Sequence, residues 1–270
     1  MILSVENVRF GYSARPILKD ITFCMERGMV LAVLGINGAG KSTLLKCINR
    51  ILDPQGGEVI LDGHDVQRMS GTQVARHIGY APQRFGDDQL SVFDAVMLGR
   101  KPHIRWAASE RDFHVVEQIL DLMGLRDLAL RSVNELSGGE AQKVVIARAF
   151  AQEPRLLLLD EPVSNLDVKN QLEVMTLVTS TVKAKEMSAI IAIHDLNLAL
   201  RFADRFLLLR DGKIHAIVPR DGITSDLIAE VYHVHAIVRE VEGFPIVIPV
   251  NACKVSHKSE RSLGSGLHVA

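Results

Sequence analysis

The first group of residues with a recognisable chemistry is the glycine-rich segment 35–43, which reads GINGAGKST. It matches the pattern G-x-x-x-x-G-K-[ST] and lies between a continuous apolar run and an amphipathic stretch. Glycines let successive N–H groups point at phosphate oxygens, and the following helix N-terminus adds positive charge. In this pattern Lys41 pairs with the β- and γ-phosphates and the Ser42 hydroxyl binds Mg²⁺. The other loop residues assigned to this predicted nucleoside triphosphate site are Asn37, Gly38, Ala39, Gly40 and Thr43.

Two carboxylates, Asp160 and Glu161, follow the buried apolar run 156–159. Ligands of open parallel sheets bind at the carboxyl ends of the strands. Adjacent carboxylates at such a place are costly without a cation, and Mg²⁺ is the obvious candidate. Asp160 would then hold the metal, and Glu161 would polarise the water that attacks the γ-phosphate. The alternative is a strand that ends in an exposed acidic turn.

A third segment, LSGGEAQ at residues 136–142, opens a predicted helix with Ser137, Gly138 and Gly139. It supplies a second helix N-terminus for an anion, although the chain has only one strand-end carboxylate pair. This asymmetry favours a nucleotide held between two copies of the chain, by the glycine-rich segment of one and by Ser137–Gly139 of the other. A simple helix cap explains the same residues equally well.

These residues need a sheet whose strands end at one edge. Apolar runs of strand length predict it at 3–10, 17–25, 29–34, 59–61, 78–81, 156–159, 189–193, 206–209 and 213–218. Asp211-Gly212 predicts a tight hairpin between the last two of these runs. A helical stripe follows the glycine-rich segment and comprises Leu44, Leu45, Ile48, Ile51 and Leu52. Between residues 85 and 150 helical periodicity replaces the strand runs, so a helical lobe interrupts an α/β core.

Composition excludes several other classes of protein. The 270 residues are 47% apolar and 23% charged with a net charge of −1, which lacks the clustered positive charge of a non-specific nucleic-acid binder. The three cysteines, Cys24, Cys47 and Cys253, form no C-x-x-C pair, which excludes a disulfide scaffold and a cysteine zinc site. No apolar run approaches the roughly 20 residues of a membrane span, and the N-terminus has no secretory signal pattern. We therefore expect a cytosolic chain, with any membrane part supplied by another polypeptide.

Taken together, these segments resemble the nucleotide-binding subunit of an ATP-binding cassette (ABC) transporter over residues 2–220. Three further family motifs occur in order, namely YAPQ at 80–83, SNLD at 164–167 and IHD at 193–195. Ile36, Ala141 and Lys143 depart from the usual residues, but none is a phosphate or metal contact. The resemblance implies a P-loop nucleoside triphosphatase core of the RecA type with an antiparallel β subdomain and an inserted α-helical subdomain. It places the ATP-binding core at 1–84 and 155–220, the helical subdomain at 85–154 and a short C-terminal extension at 221–253. Residues 254–270 are rich in serine, lysine, glycine and histidine, which predicts a mobile tail.

The resemblance also assigns roles to four residues outside the first three segments. Tyr12 would stack on adenine, Gln83 would sense Mg²⁺ and the membrane partner, Asp167 would link the two sites of a dimer, and His194 would contact the γ-phosphate. Each has a simpler alternative: a surface aromatic for Tyr12, a strand cap for Gln83, a helix N-cap for Asp167 and a structural histidine for His194.

The activity implied is an ATPase that binds ATP and Mg²⁺, pairs with a second copy and powers import through separate transmembrane permease subunits. A substrate-binding protein would join through the permease, and the subunit would lie at the cytoplasmic face of the membrane, without nucleic acid. Residues 90–103, 225–232 and 243–249 resemble the group that imports iron siderophores, haem and cobalamin. Alternatives are an importer ATPase for an oxyanion or a metal ion, a soluble ABC ATPase acting on DNA or ribosomes, and a nucleotide switch without turnover.

Three smaller features are interpreted mainly as structure. The histidines His233 and His235, with His215 nearby, are placed on one strand face but without a third metal ligand in register. A basic cluster formed by Arg100, Lys101 and Arg105 is interpreted as a solvated face. Trp106 would pack either against a partner helix or in the core of the helical lobe.

Overall fold

The computed structural model describes residues 1–13, 15–83 and 89–252. The chain begins with two long strands, β1 (Leu3–Tyr12) and β2 (Arg15–Met25), which pair antiparallel with Leu3 opposite Met25. The strand β4 (Gly56–Leu61) pairs with the other side of β1, and the short β5 (His64–Asp65) pairs with β4. This four-stranded antiparallel sheet, in the order β2-β1-β4-β5, confirms the expected β subdomain.

The second sheet has six strands and is parallel except at one edge. Its order is β10-β9-β3-β8-β7-β6, and only β10 runs antiparallel to its neighbour. Their bounds are β3 (Val30–Leu34), β6 (Ile78–Ala81), β7 (Leu156–Asp160), β8 (Ser188–Ala192), β9 (Arg205–Arg210) and β10 (Lys213–Pro219). Every residue of β3, β7 and β8 is buried, as the continuous apolar runs predict for strands covered on both faces. The carboxyl ends of these parallel strands meet at one edge of the sheet.

Helices cover both faces of the parallel sheet. Val30, Ala32 and Leu34 belong to one hydrophobic cluster, while Leu31 and Val33 belong to the other, because successive side chains of a strand point to opposite faces. The helices of the core are α1 (Lys41–Ile48), α2 (Gly71–His77), α6 (Val168–Ala184) and α7 (Leu196–Phe202). The strands β3, β7 and β8 in the sheet are thereby buried along their whole length, and they lead into the loops at its carboxyl edge.

A helical insert separates β6 from β7. It contains α3 (Val92–Met97), α4 (Glu110–Leu122) and α5 (Gly138–Ala151), and residues 89–155 as described include no named strand. Each helix begins after a serine whose hydroxyl accepts a hydrogen bond from a first-turn N–H, namely Ser91, Ser109 and Ser137. The change from strand to helical periodicity is thus confirmed for this part of the chain.

After β10, the chain forms α8 (Ser225–Tyr232) and an antiparallel hairpin of β11 (Val234–Val241) and β12 (Phe244–Ala252). The sequence pattern did not predict this hairpin, because its apolar residues do not alternate cleanly and two prolines interrupt β12. The tail predicted for residues 254–270 lies outside the described residues. None of the described helices is long and apolar enough to cross a membrane.

Several local predictions were wrong. The helix α1 ends at Ile48, so Ile51 lies beyond it and is 51% exposed. His233 ends α8 in the left-handed conformation, with φ of 57°, so it does not share a strand face with His235. His215 instead pairs with Glu230 at 2.7 Å.

Two predictions about the helical lobe are resolved by burial. Arg100 is not on a solvated face, because it is 2% exposed and is bound to Asp112 and Glu153. Trp106 is 99% exposed, which excludes the alternative that it fills the core of the lobe.

Candidate active site

The glycine-rich loop joins the end of β3 to the start of α1, which is the placement its pattern requires. Gly35 has φ of 147°, and a Cβ there would overlap the carbonyl oxygen of Leu209 in β9. Gly40, with φ of 107°, is the N-cap of α1. A side chain at either position would be strained, so the two glycines set the path of the loop. The loop borders a cavity of about 200 Å³, lined by Ile17, Asn37, Gly38, Gly40, Lys41, Ser42, Thr43 and Glu161.

Lys41 is the buried cation of this loop. Its Nζ donates to the carbonyl oxygens of Gly35 at 2.9 Å and Ile36 at 3.3 Å, so the loop holds the ammonium group in place. Burial lowers the pKa of Lys41, and the nearby charges of Glu161 and Asp160 oppose that shift. An anion such as a phosphate would add negative charge beside the ammonium and would favour its protonated form further.

Asp160 is the last residue of β7 and is 4% exposed. Its Oδ1 accepts a hydrogen bond from Ser42 Oγ at 2.7 Å, and its Oδ2 accepts one from Tyr80 Oη at 3.2 Å. Burial and the contact with Asp160 raise the pKa of Tyr80, which keeps the phenol a donor. A buried carboxylate beside a hydroxyl is an all-oxygen donor set of the kind that Mg²⁺ prefers, so these residues fit that ion. The alternative of an exposed acidic turn is excluded for Asp160.

Glu161 lies just past β7 and has φ of 48°, in the left-handed region of backbone conformation. Its Oε2 accepts from Gln83 Nε2 at 2.9 Å and lies 3.8 Å from His194 Nδ1. Gln83 Nε2 also donates to Ser164 Oγ at 3.2 Å. The fold therefore brings together Gln83, Glu161 and His194, which come from three distant segments of the chain.

The helix-opening segment at Ser137 has the geometry of a cap. Ser137 N–H and Oγ donate to Glu140 Oε2 at 2.8 and 2.6 Å, while Glu140 N–H donates back to Ser137 Oγ. Asp167 likewise caps α6, since its Oδ1 accepts from Asn170 N–H at 2.8 Å. Both cap interpretations are thus correct as local structure, and both leave a helix N-terminus that can face an anion.

The helix starts at Ser137 and Asp167 lie beside each other. A Cβ at Gly139 would lie 3.2 Å from the side chain of Asn170. Among the described residues, neither Ser137 nor Asp167 lines the cavity under the glycine-rich loop of the same chain. Within one protomer, then, the Ser137 helix N-terminus does not border the cavity formed by the glycine-rich loop and the start of α1.

Tyr12, at the end of β1, is 53% exposed and packs edge-on against Phe10 with ring centroids 5.0 Å apart. An exposed ring agrees with adenine stacking and equally with a surface aromatic, so its role stays a prediction.

Two tyrosines contact site residues although the sequence did not predict a role for either. Tyr80 lies in a buried strand three residues before Gln83, and Tyr232 comes from the C-terminal extension. The hydroxyl of Tyr232 accepts a hydrogen bond from Gly35 N–H at 3.0 Å, and burial raises the pKa of Tyr232 to about 12. The role of Tyr80 could have been predicted, because its phenol is a polar group in an otherwise apolar strand. The role of Tyr232 could not be predicted from neighbouring residues, because its partner lies 197 residues away.

A glycine-rich loop between a buried parallel strand and a helix, with a carboxylate at the end of another strand of the sheet, defines a P-loop nucleoside triphosphatase. A family model described as "ABC transporter" matches residues 18–164, more than half of the 270-residue chain. The chain belongs to the ABC transporter family, in which it is the ATP-binding ATPase subunit of an importer.

Curated relatives match over nearly the whole chain. An uncharacterized ABC transporter ATP-binding protein of Methanocaldococcus jannaschii is 51% identical over 250 residues, which cover 93% of this chain and 98% of the relative. The ferric enterobactin transport ATP-binding protein FepC of Escherichia coli is 35% identical, with 91% and 93% covered. The phosphonates import ATP-binding protein PhnC of Nitratidesulfovibrio vulgaris is 36% identical, with 85% and 91% covered.

Solved structures agree with this assignment. An inward-facing conformation of a metal-chelate type ABC transporter superposes with a TM-score of 0.80 at 33% identity, covering 92% of this chain and 97% of the other. A dimeric ATP-binding cassette in a post-hydrolysis state, bound to ADP and Pi, superposes with a TM-score of 0.73 at 27% identity, covering 82% and 100%. The expected α/β fold is confirmed by these neighbours.

Proposed function

We propose that two copies of the chain close head-to-tail around two ATP molecules and that hydrolysis drives import of a metal chelate through separate permease subunits. In this proposal residues 1–84 and 155–220 form the ATP-binding core, 85–154 the helical subdomain and 221–253 a short C-terminal extension. The subunit lies at the cytoplasmic face of the membrane, attached through the permease, which itself receives cargo from a substrate-binding protein.

The proposed dimer rests mainly on one observation: the helix N-terminus at Ser137 does not line the phosphate cavity of its own chain. Since ATP carries several negative charges, its phosphates are best neutralised from both sides. Lys41 supplies positive charge on one side, and the Ser137 helix N-terminus of a second copy would supply it on the other. Asp167 begins a helix beside Gly139 and would therefore lie at the same interface. The dimeric form of a cassette 27% identical to this chain supports the arrangement.

The site residues divide the chemical work as follows. Lys41 and the backbone N–H groups of the loop hold the β- and γ-phosphates. Ser42 and Asp160, with Gln83 nearby, would hold Mg²⁺, which neutralises charge on the phosphates when bound.

The hydrolytic step falls to the Glu161 group. Glu161 accepts a proton from the water that attacks the γ-phosphorus, and Gln83 orients the Glu161 carboxylate. His194, whose Nδ1 lies 3.8 Å from Glu161 Oε2, would donate an imidazole N–H to the γ-phosphate. Loss of that phosphate removes contacts between the two copies, so turnover opens the dimer.

A groove offers the permease an attachment point. This groove, of about 390 Å³, lies between the end of α1, the helix α2 and Gln152 at the end of α5. Tyr80 lines it, and its hydroxyl donates to Asp160. A permease segment in the groove would thus contact a residue that touches the metal-holding carboxylate.

The cargo assignment is supported by relatives rather than by the site, because the ATPase subunit does not contact cargo. A metal chelate is favoured by the enterobactin relative and by the metal-chelate type transporter. The phosphonate relative, at a similar identity, supports an oxyanion as the alternative. Uptake of labelled ferric siderophore, cobalamin and phosphonate in a strain that lacks the gene would decide between them.

Mixed dimers test the shared site. We expect Lys41→Ala and Ser137→Arg, each in a Glu161→Gln background, to form no ATP-dependent dimer alone. A head-to-tail pair of the two variants has one intact site, with Lys41 from one chain and Ser137 from the other. A mixture should therefore recover an ATP-dependent heterodimer in size-exclusion chromatography. Glu117→Gln, at an exposed position of α4, serves as the control for an acidic residue outside the site. If the mixture stays monomeric while Glu161→Gln alone dimerises, the head-to-tail arrangement is wrong.

A further inference from the structure

The C-terminal extension contacts the phosphate loop through Tyr232. Gly35 N–H, at the base of the loop, donates to Tyr232 Oη at 3.0 Å. On the other side of Gly35, the carbonyl oxygen of Leu209 leaves no room for a Cβ. The first residue of the loop is therefore held between β9 and a side chain of α8. Without the hydroxyl, Gly35 N–H would be left beside a phenyl ring that offers it no acceptor.

The same extension also contacts the helix that follows His194. Asn197 uses both polar atoms of its side chain on the backbone of one residue of β12: Val247 N–H donates to Oδ1 at 2.8 Å, and Nδ2 donates to Val247 O at 3.2 Å. One turn further along α7, the guanidinium of Arg201 lies over the ring of Phe244, 5.0 Å from its centroid. Because residues four apart share a helix face, Asn197 and Arg201 both contact β12 from the same side of α7.

These two contacts reach different parts of the ATP site. Tyr232 touches the loop that would hold the phosphates, and Asn197 lies three residues after His194. The extension joins them internally, since Val238 N–H in β11 donates to Ser225 Oγ at the start of α8. A movement of the extension would shift the phosphate loop and the His194 segment together.

We propose that the extension is a positioning element of the ATP site: Tyr232 positions the phosphate loop, and the Asn197–Val247 pair positions His194. This inference rests on the ATP site described under the proposed function. Loss of each contact should have a different effect. The loop acts mainly in binding ATP, so losing the Tyr232 contact should weaken affinity. His194 acts mainly in turnover, so losing the Asn197 contact should lower kcat.

Tyr232→Phe removes only the hydroxyl. We expect the variant to bind a fluorescent ATP analogue roughly tenfold more weakly, with KM raised in parallel and kcat within about twofold of the parent. Asn197→Ala should show the reverse, with kcat reduced roughly tenfold and nucleotide affinity unchanged. Asn197→Asp keeps the acceptor for Val247 N–H, so its kcat should fall between those of Asn197→Ala and the parent.

Val250→Ala is the matched control, because Val250 lies in β12 of the same extension, is 51% exposed and makes neither contact, so its kcat and KM should equal those of the parent. Thermal melting of all four variants separates effects on stability from effects on the site. If Tyr232→Phe and Asn197→Ala lower only the melting temperature, with kcat and KM unchanged well below it, the extension is a structural cover and the inference is refuted. A parent chain without any ATP hydrolysis would instead refute the proposed function.

Discussion

Replacing Arg100 by methionine should destabilise the helical insert severely. The burial of Arg100 and its partner Asp112 lets us estimate how much stability is lost. Arg100 is 2% exposed; its Nε donates to Asp112 Oδ1 at 3.0 Å, and its Nη1 donates to Ala151 O at 2.7 Å and Glu153 Oε2 at 2.8 Å. The guanidinium thus joins the first turn of α4 to the last carbonyls of α5. Methionine fills similar space but leaves the buried Asp112 carboxylate without a cation. Breaking a buried pair in this way costs about 3–5 kcal/mol.

An exposed pair in the same insert provides the comparison. Arg126 pairs with Asp121, but their side chains are 62% and 50% exposed. Such pairs contribute about 0–1 kcal/mol, so Arg126→Met should change stability little. Urea unfolding followed by circular dichroism gives both free energies, and each kcal/mol corresponds to roughly 2–4 °C in Tm for a domain of 150–250 residues. Arg100→Met should therefore melt about 10 °C below the parent.

The acid sensitivity of the two variants should differ as well. Burial by itself would raise the pKa of Asp112, but hydrogen bonds from Ser109 and Arg100 outweigh it and lower that pKa from 3.8 to about 2. Asp112 therefore stabilises the folded chain above about pH 4, and this contribution is lost as the pH falls toward 2. Without Arg100 the pKa of Asp112 should rise, so Arg100→Met should lose less stability than the parent as the pH falls from about 4 toward 2.

A second substitution separates the charge from the packing. Asp112→Asn added to Arg100→Met removes the unpaired carboxylate, so the double variant should recover part of the lost stability. The reasoning fails if Arg100→Met at pH 7 lies within 1 kcal/mol of Arg126→Met, or if the double variant is less stable than Arg100→Met alone.

Three further outcomes can be checked directly. Gly35→Ala should abolish binding of a fluorescent ATP analogue and lower Tm, because the new Cβ overlaps the Leu209 carbonyl at a φ of 147°; unchanged binding would show that the loop tolerates the side chain. Lys41→Met should lose ATP affinity while gaining or keeping thermal stability, since it removes a desolvated charge; a large loss of stability would contradict this. At pH 8 a thiol reagent should modify exposed Cys24 but not Cys47, whose pKa burial raises to about 12, as peptide mapping by mass spectrometry would report.

The agreement between sequence and structure is closest where local pattern and chemistry coincide. The apolar run before Gly35 and the helical stripe after it place the phosphate loop, because strand burial and helix periodicity both act over a few residues. The same holds for Asp160, which the preceding leucines carry to the carboxyl edge of the sheet. The C-terminal hairpin, by contrast, was not predicted, because its apolar residues do not alternate cleanly and β12 is held by contacts with the distant helix α7.

The sequence also did not predict which charged residues are buried. Arg100 was expected on a solvated face because basic residues adjoin it in the chain. It is buried because Asp112 and Glu153 pair with its charge there. No local feature separates an arginine of this kind from one on the surface.

Residue types and their spacing were enough to predict the class of site, because a glycine-rich loop, a pair of strand-end carboxylates and a histidine together fit phosphate chemistry. The order of these motifs along the chain was enough to predict the family. Which of the side chains meet follows from the fold. Gln83, Glu161 and His194 converge because parallel strands end at one edge, and Tyr232 reaches Gly35 because the extension folds back across the sheet. Contacts between residues far apart in the chain depend on the packing of whole elements, which no local pattern records.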